Sequence, residues 1–249
     1  MSLNIAAYHF VAIDDPEALA AQCRNRAEAA NVLGTILIAP EGINLVLAGE
    51  EFLLREFMVD LLADPRFSTM RPKCSVSDSV PFARLKVKVK PEIISFRQGD
   101  SQPLETERAP ALAPADLARW IAHGHDDNGR RLLMLDTRNR EEVQYGSFTG
   151  ALTFDMENFT EFPEAIAPHL DSLRDATVVS FCTGGVRCEK AALWLRGQGV
   201  ENVWQLDEGI LGYFEKVGGV GYDRACFVFD ERVALTPDLT PIKTQPKNQ

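Results

Sequence analysis

The chain of 249 residues has only five cysteines and four histidines, and no stretch near the roughly 20 consecutive apolar residues that a membrane span needs. Cysteines so few, scattered and odd in number exclude a disulfide framework and fit a reducing compartment. No pair of histidines with a carboxylate recurs at helical spacing and no CxxC pair occurs, so neither a non-haem iron site nor a zinc site is legible. The GGVG run at Gly218 follows no predicted strand and is no dinucleotide fingerprint. The opening residues, MSLNIAAYHFVAIDD, have no basic stretch leading into an apolar core, so a cytoplasmic protein with no membrane contact is expected. Basic side chains are outnumbered 26 to 36, a formal charge of −10 that disfavours an extended polyanion as partner.

Apolar residues make up 45% and charged residues 25%, the balance of a soluble folded protein, and the length allows one large domain or two ordinary ones. Residues 1–98 alternate short strands and helices. The run Ile5 to Ile13 meets a helix entry at Asp14, Asp15 and Pro16, and Leu19, Cys23 and Ala27 then share one helical face. TILIAP and INLVLAG join at a turn around Pro40, Glu41 and Gly42. A second helix spans 50–63 with Leu54, Phe57, Met58 and Leu61 inward, before strand-like RPKCSVSD and ARLKVKVKPEIISF. This β-α-β-β-α-β order with one extra strand predicts an α+β ferredoxin-like sandwich.

Residues 99–114, rich in Gln, Ser, Thr, Glu and Pro, read as a linker. From 115 to 224, short apolar strands (LLMLD, ALTF, TVVSF, NVWQL) alternate with helical segments (ADLARWIAH, FPEAIAPHL, EKAALWLRGQG), which predicts an α/β domain around a parallel sheet. Residues 225–249 form a C-terminal segment whose end, TPDLTPIKTQPKNQ, is expected to be disordered.

Chemistry concentrates in VVSFCTGGVRCEKAALWL, where Cys182 stands at a strand end and Thr183, Gly184, Gly185 and Val186 lead to Arg187 and Cys188 at a helix start. Adjacent glycines let the backbone curl into an anion-binding nest at the positive helix end. With Arg187, that nest should lower the Cys182 pKa from about 8.5 towards neutrality or below, making a nucleophile that can carry sulfur as a persulfide. The competing reading, a buried strand-end thiol, is outweighed by the neighbouring Thr-Gly-Gly and Arg187. Cys188 is either a resolving partner or a small packing residue. Asp136 and Arg138, ending LLMLD on the same sheet rim, are candidate supports. Glu41, Gly42 and Asn44 suit an ordinary hairpin turn and a substrate-facing role equally. His123, His125, Asp126 and Asp127 read as a solvated turn before they read as metal ligands.

The C-x-x-G-x-R loop, with LDTRNREE before it and QLDEGILGY after it, resembles a rhodanese domain over roughly residues 115 to 220, with Cys182 at the persulfide position. Four residues lie between Cys182 and Arg187, where the related phosphatase loops hold five, a nest better suited to sulfur than phosphate. APEGINLVLAG, FARLKVKVKPEII, DTRNREE, FCTGGVRCEKA and CFVFDERVAL, in that order, resemble the bacterial tRNA uridine hydroxylase family, in which an acylphosphatase-like domain precedes a rhodanese domain. The resemblance implies oxygen-dependent 5-hydroxylation of the wobble uridine, dioxygen as co-substrate, the tRNA anticodon loop as partner and Cys182 as the active cysteine. Many members also have a cysteine-rich C-terminal segment, a pattern this sequence does not show. The alternative activity is a sulfurtransferase moving sulfane sulfur from a sulfur donor through a Cys182 persulfide. A third reading is a binding module without catalysis, against which the intact Cys182-to-Arg187 loop argues.

The charge is uneven. Residues 66 to 97 hold eight basic side chains against Asp78 and Glu92, a local +6 on a remainder of −16. In the RLKVKVK run, Lys86, Lys88 and Lys90 alternate with apolar residues and so share one strand face, beside Arg84, a candidate surface for tRNA phosphates. The other reading of such lysines is a solvated, aggregation-resistant edge. Phe82 and Phe96 flank the run as weak candidates for base stacking.

Overall fold

A computed structural model describes residues 1–99 and 101–242 of the chain. The N-terminal half comprises β1 (Ser2–Phe10), α1 (Pro16–Ala29), β2 (Leu33–Ala39), β3 (Gly42–Gly49), α2 (Glu51–Leu62), β4 (Lys73–Ser77) and β5 (Leu85–Val89). The Asp15 carboxylate accepts from the Ala18 amide at 2.9 Å and Pro16 fills the first helical position, so α1 starts where the sequence predicts. The sheet order is β4-β1-β3-β2-β5, antiparallel except for β5 beside β2. At the β2–β3 turn Gly42 has φ +149°, and a Cβ there would lie 2.1 Å from the His9 carbonyl oxygen, so only glycine fits.

Side-chain alternation gives this sheet two faces. Ile5, Ala7, Ile36, Ile38, Leu45, Leu47 and Val87 point to the helices and are buried with Leu54, Phe57, Met58 and Leu61. Ala6, Tyr8, Leu37, Asn44 and Val46 point the other way, towards the second domain.

That domain contains β6 (Ala111–Leu112), α3 (Pro114–His123), β7 (Leu132–Asp136), α4 (Arg140–Val143), β8 (Gly146–Phe148), α5 (Phe162–Ile166), α6 (Leu170–Arg174), β9 (Thr177–Phe181), α7 (Val186–Gly197), β10 (Val203–Leu206), α8 (Gly209–Val217), β11 (Tyr222–Arg224), β12 (Cys226–Phe227) and β13 (Ala234–Leu235). Strands β6, β10, β9 and β7 form a parallel sheet in that order. All five residues of β9 are buried, with Val178 in the core on one face and Val179 and Phe181 in the core on the other.

Three expectations change. The stretch 99–114 is not structureless throughout: its Ala111 and Leu112 pair with Gln205 and Leu206 and begin the sheet. ALTF contributes only an isolated bridge between Leu152 and Leu135, because the chain leaves the sheet edge at once for the turn before α5. The segment 236–242 is ordered. Leu235 bridges Pro241, the Ile242 amide donates to the Ala234 carbonyl at 2.9 Å, and the Thr236 amide donates to the Thr240 carbonyl, so the prolines shape a return turn. Residues 243–249 of the expected tail lie outside the described residues.

Charge ties the two halves. Lys190 of α7 is 1% exposed, and its ammonium donates to Glu41 at 2.8 Å and to Glu92 at 3.0 Å, both carboxylates from the N-terminal half. Glu41 also accepts from the Ile93 amide at 2.8 Å, while the Asn44 amide donates to the Ile93 carbonyl. The hairpin turn is therefore a domain clamp. Phe96 stacks on Phe159 at 4.6 Å in the second domain's core, which removes it as a base platform, and Phe82 is half-buried. At the His-Asp cluster, buried Asp126 caps its own turn by accepting from the Asn128 and Arg130 amides, while Asp127 pairs with Arg119.

Candidate active site

Strand β9 ends at Phe181 and the next residue, Cys182, is 1% exposed at the head of the loop into α7. Gly185 takes φ +102°, which turns its amide onto the Cys182 sulfur at 3.1 Å. The loop's carbonyls are held by the first turn of α8: the Ile210 amide donates to Cys182 at 3.0 Å and the Leu211 amide to Thr183 at 3.1 Å. Gly209 permits this close approach, since a Cβ there would come 2.6 Å from the Cys182 carbonyl oxygen.

Burial alone would push the Cys182 pKa up. Against it act a hydrogen bond with the Cys188 thiol, the positive charge of Arg187 and the amides of Arg187 and Gly185, and together they bring it down to about 5. Cys188 shifts the opposite way, raised by burial and by the neighbouring Cys182, so one of the two thiols ionises and the other donates. The Thr137 hydroxyl, 3.9 Å from the Cys188 sulfur, donates to the Phe181 carbonyl at 3.0 Å and fixes this packing.

Arg187 reaches the sulfur through charge, because both ends of its guanidinium are bonded to Glu142 at 2.6 Å. Glu142 is 1% exposed, accepts from the Asn139 amide at 3.1 Å and has its pKa lowered by Arg187 despite burial. Asp136 and Arg138 hold the backbone that carries it. They form a fully buried pair at 2.6 Å, completed by Ser147 donating to Asp136 and Arg138 donating to the Gly146 carbonyl, both at 2.7 Å. Both are fully buried, and these bonds run to each other, Ser147 and Gly146 rather than to the Cys182 loop.

The loop opens into a cleft of about 600 Å³ between the domains, with Cys182, Thr183 and Arg187 on one wall and Tyr8, Asn44 and Lys73 on the other. The Lys73 ammonium stands 5.5 Å from the centre of the Tyr8 ring, and burial lowers its pKa. Lys90 and Arg97 also line the cleft. Cross-strand register extends this wall: Tyr8 pairs with Asn44, Asn44 with Leu37 and Leu37 with Lys88, so Lys88 lies in the same row as Tyr8 on the cleft-side face. Lys86 pairs with Thr35 one row along, and Arg84, Lys86, Lys88 and Lys90 are all exposed.

Residues 2–93 match the family model described as the UPF0176 acylphosphatase like domain, and residues 114–216 match the rhodanese-like domain. A protein of Xanthomonas campestris pv. campestris (strain 8004) named tRNA uridine(34) hydroxylase is 59% identical over 242 residues, covering 97% of this chain and 95% of that one. A protein of the same name from Xylella fastidiosa (strain M23) is 58% identical over 240 residues, covering 96% and 93%. The chain belongs to the tRNA uridine(34) hydroxylase family. Among solved structures, the rhodanese-like domain of an Anabaena protein matches 56% of this chain and 90% of that one, at 18% identity and a TM-score of 0.37, too slight a likeness to argue from.

For this member of the hydroxylase family, the loop residues Cys182 to Cys188 are brought together and Lys90 lines the cleft, while Lys86 and Lys88 continue the cleft-side face of β5 and Arg84 is exposed before its far end. Glu142, Lys73 and Tyr8 were missed from the sequence. Glu142 had a signal, the Asn-x-x-Glu of a helix start in DTRNREE. Lys73 and Tyr8 had none, because only the sheet order places them opposite Cys182. The described residues contain no group of three or more His, Cys, Asp or Glu able to hold a metal, and none of their helices is long and apolar enough to cross a membrane.

Proposed function

We propose that this protein hydroxylates uridine 34 of tRNA at C5, dioxygen giving one atom to C5 while the other leaves as water with two electrons and two protons from a reduced donor such as a thiol, and with the Cys182 sulfur as the reacting nucleophile, either as thiolate or as a persulfide loaded by a sulfur donor. The observation that carries the reading is the Cys182 thiol, its pKa lowered by Cys188, Arg187 and the loop amides against its burial, at a cleft of about 600 Å³ whose far wall belongs to the other domain and bears cations. That volume falls within the range of small-ligand sites, room for one extruded nucleotide. A wobble base in a single-stranded loop can be splayed out at low cost, which a deep thiol requires. Asn139 and Asn44 line the cleft and offer amide groups to a polar base. The exposed lysines of β5 continue the same face outwards and suit the phosphates of the anticodon arm, in keeping with work in the cytoplasm.

The test is incubation of the purified protein with unmodified tRNA and a dithiol reductant under air and under argon, followed by mass spectrometry of nucleosides. One added oxygen atom on uridine 34 under air, absent under argon and absent with Cys182→Ser, is the expected result. Robust thiosulfate:cyanide sulfur transfer without any hydroxylated uridine would favour the sulfurtransferase instead.

A further inference from the structure

The turn after β12 presents a largely exposed aromatic ring. Phe229 is 62% exposed, yet its surroundings are rigid. Phe227 meets it edge-on at 5.0 Å and leans on Tyr145 at 5.3 Å. The next residues anchor the turn to the N-terminal domain: Asp230 pairs with Arg232 at 2.6 Å, Arg232 donates to the Ser75 hydroxyl of β4 at 2.8 Å, and the Glu231 amide donates to the Pro81 carbonyl at 3.1 Å. A single exposed apolar side chain is ordinary on a protein surface, and Phe52 is exposed to the same degree; what sets Phe229 apart is where it stands.

Its place says what it binds. Phe229 walls both the Cys182 cleft and an adjoining hollow of about 70 Å³, and Lys73 lines both beside it. An aromatic face next to a cation, at the rim of a cleft with a nucleophile inside, matches an unstacked nucleobase and its phosphate: the ring takes the base, the ammonium the phosphate. Lys90 and Arg97 in the same cleft extend that complementarity to a polyanion.

We propose that Phe229 is the stacking platform for the nucleobase adjoining the target uridine in the RNA chain, with Lys73 meeting the phosphate between them. The inference rests on reading the protein as a tRNA-modifying enzyme and adds how the loop is held open: one neighbour leaves the anticodon stack for Phe229 while the target base enters towards Cys182.

The test uses the full-length protein and anticodon stem-loops carrying 2-aminopurine on the 5′ side or on the 3′ side of the target uridine. A rise in fluorescence on binding, as the base leaves its stacked neighbours, is expected at one of these positions and lost in Phe229→Ala, with melting temperatures unchanged. In hydroxylation assays Phe229→Ala should raise KM for tRNA on the order of tenfold with kcat nearly constant, as expected for a lost stacking contact. An equal rise in wild type and Phe229→Ala, or an unchanged KM, overturns the proposal while leaving hydroxylation by Cys182 standing. A fluorescence rise that depends on Phe229 in a protein that hydroxylates nothing supports the platform and removes the catalytic reading.

Discussion

Lys190 and Glu41, 149 residues apart in sequence, meet at 2.8 Å across the domain boundary with the lysine 1% exposed. Lys190 lies one turn beyond Val186 on the helix that opens with the Cys182 loop, and Glu41 lies in the turn between the two central strands that wall the cleft. The pair thus sets how the thiol faces the sheet. Removing one partner of a buried pair leaves the other charge uncompensated. Lys190→Met should therefore cost about 3–5 kcal/mol in stability, read as a lowered urea midpoint. Lys190→Met with Glu41→Gln should recover part of that loss. An unchanged midpoint in the single variant would show that the pair does not hold the domains.

The same cluster makes stability depend on acid. Burial raises the Glu92 pKa, but the amides of Phe96 and Arg97 and the Lys190 ammonium outweigh it, so the folded pKa lies below its ordinary 4.5. A carboxylate depressed on folding contributes stability that is complete above its unfolded pKa and is lost as pH falls through the folded one. Melting temperature should thus fall as pH drops below 4.5, and fall less steeply in Glu92→Gln. Parallel curves for the two proteins would contradict the assignment.

A thiolate at Cys182 is directly observable. Its ultraviolet absorbance, taken as wild type minus Cys182→Ser, should titrate with a midpoint of about 5. Cys188→Ala removes a donor to the sulfur and should move that midpoint upwards. A wild-type midpoint near 9.0, the ordinary value, would mean that the loop does not activate the thiol.

The basic edge predicts how tRNA binding responds to salt. The logarithm of affinity falls linearly with the logarithm of salt concentration, by roughly 0.9 per phosphate neutralised on duplex and less on single strands. Neutralising Lys86, Lys88 and Lys90 together should shallow that slope by about two to three. An affinity insensitive to salt, or untouched by the triple substitution, would leave these lysines as a solvated edge.

Much of this was legible in the sequence because it is local. Asp15 and Pro16 start a helix in six residues, and the Cys182-to-Arg187 loop contains its own glycines, cation and helix terminus. Glu142 was half legible, since the Asn139 start that it caps is local but its bond to Arg187 spans 45 residues. The roles of Glu41, Lys73, Lys190 and Phe229 depend on domain packing, which no periodicity encodes. Phe96 shows the converse: its place beside the lysines suggested a base platform, and packing buried it against Phe159.

The central claim is tested most directly in a host that lacks its own wobble-uridine hydroxylases. The chain is expressed as wild type and as Cys182→Ser, and tRNA nucleosides are analysed by mass spectrometry. The account predicts 5-hydroxyuridine with the wild type and none with the variant at equal protein levels. Formation of 5-hydroxyuridine by both, or by neither, would contradict it.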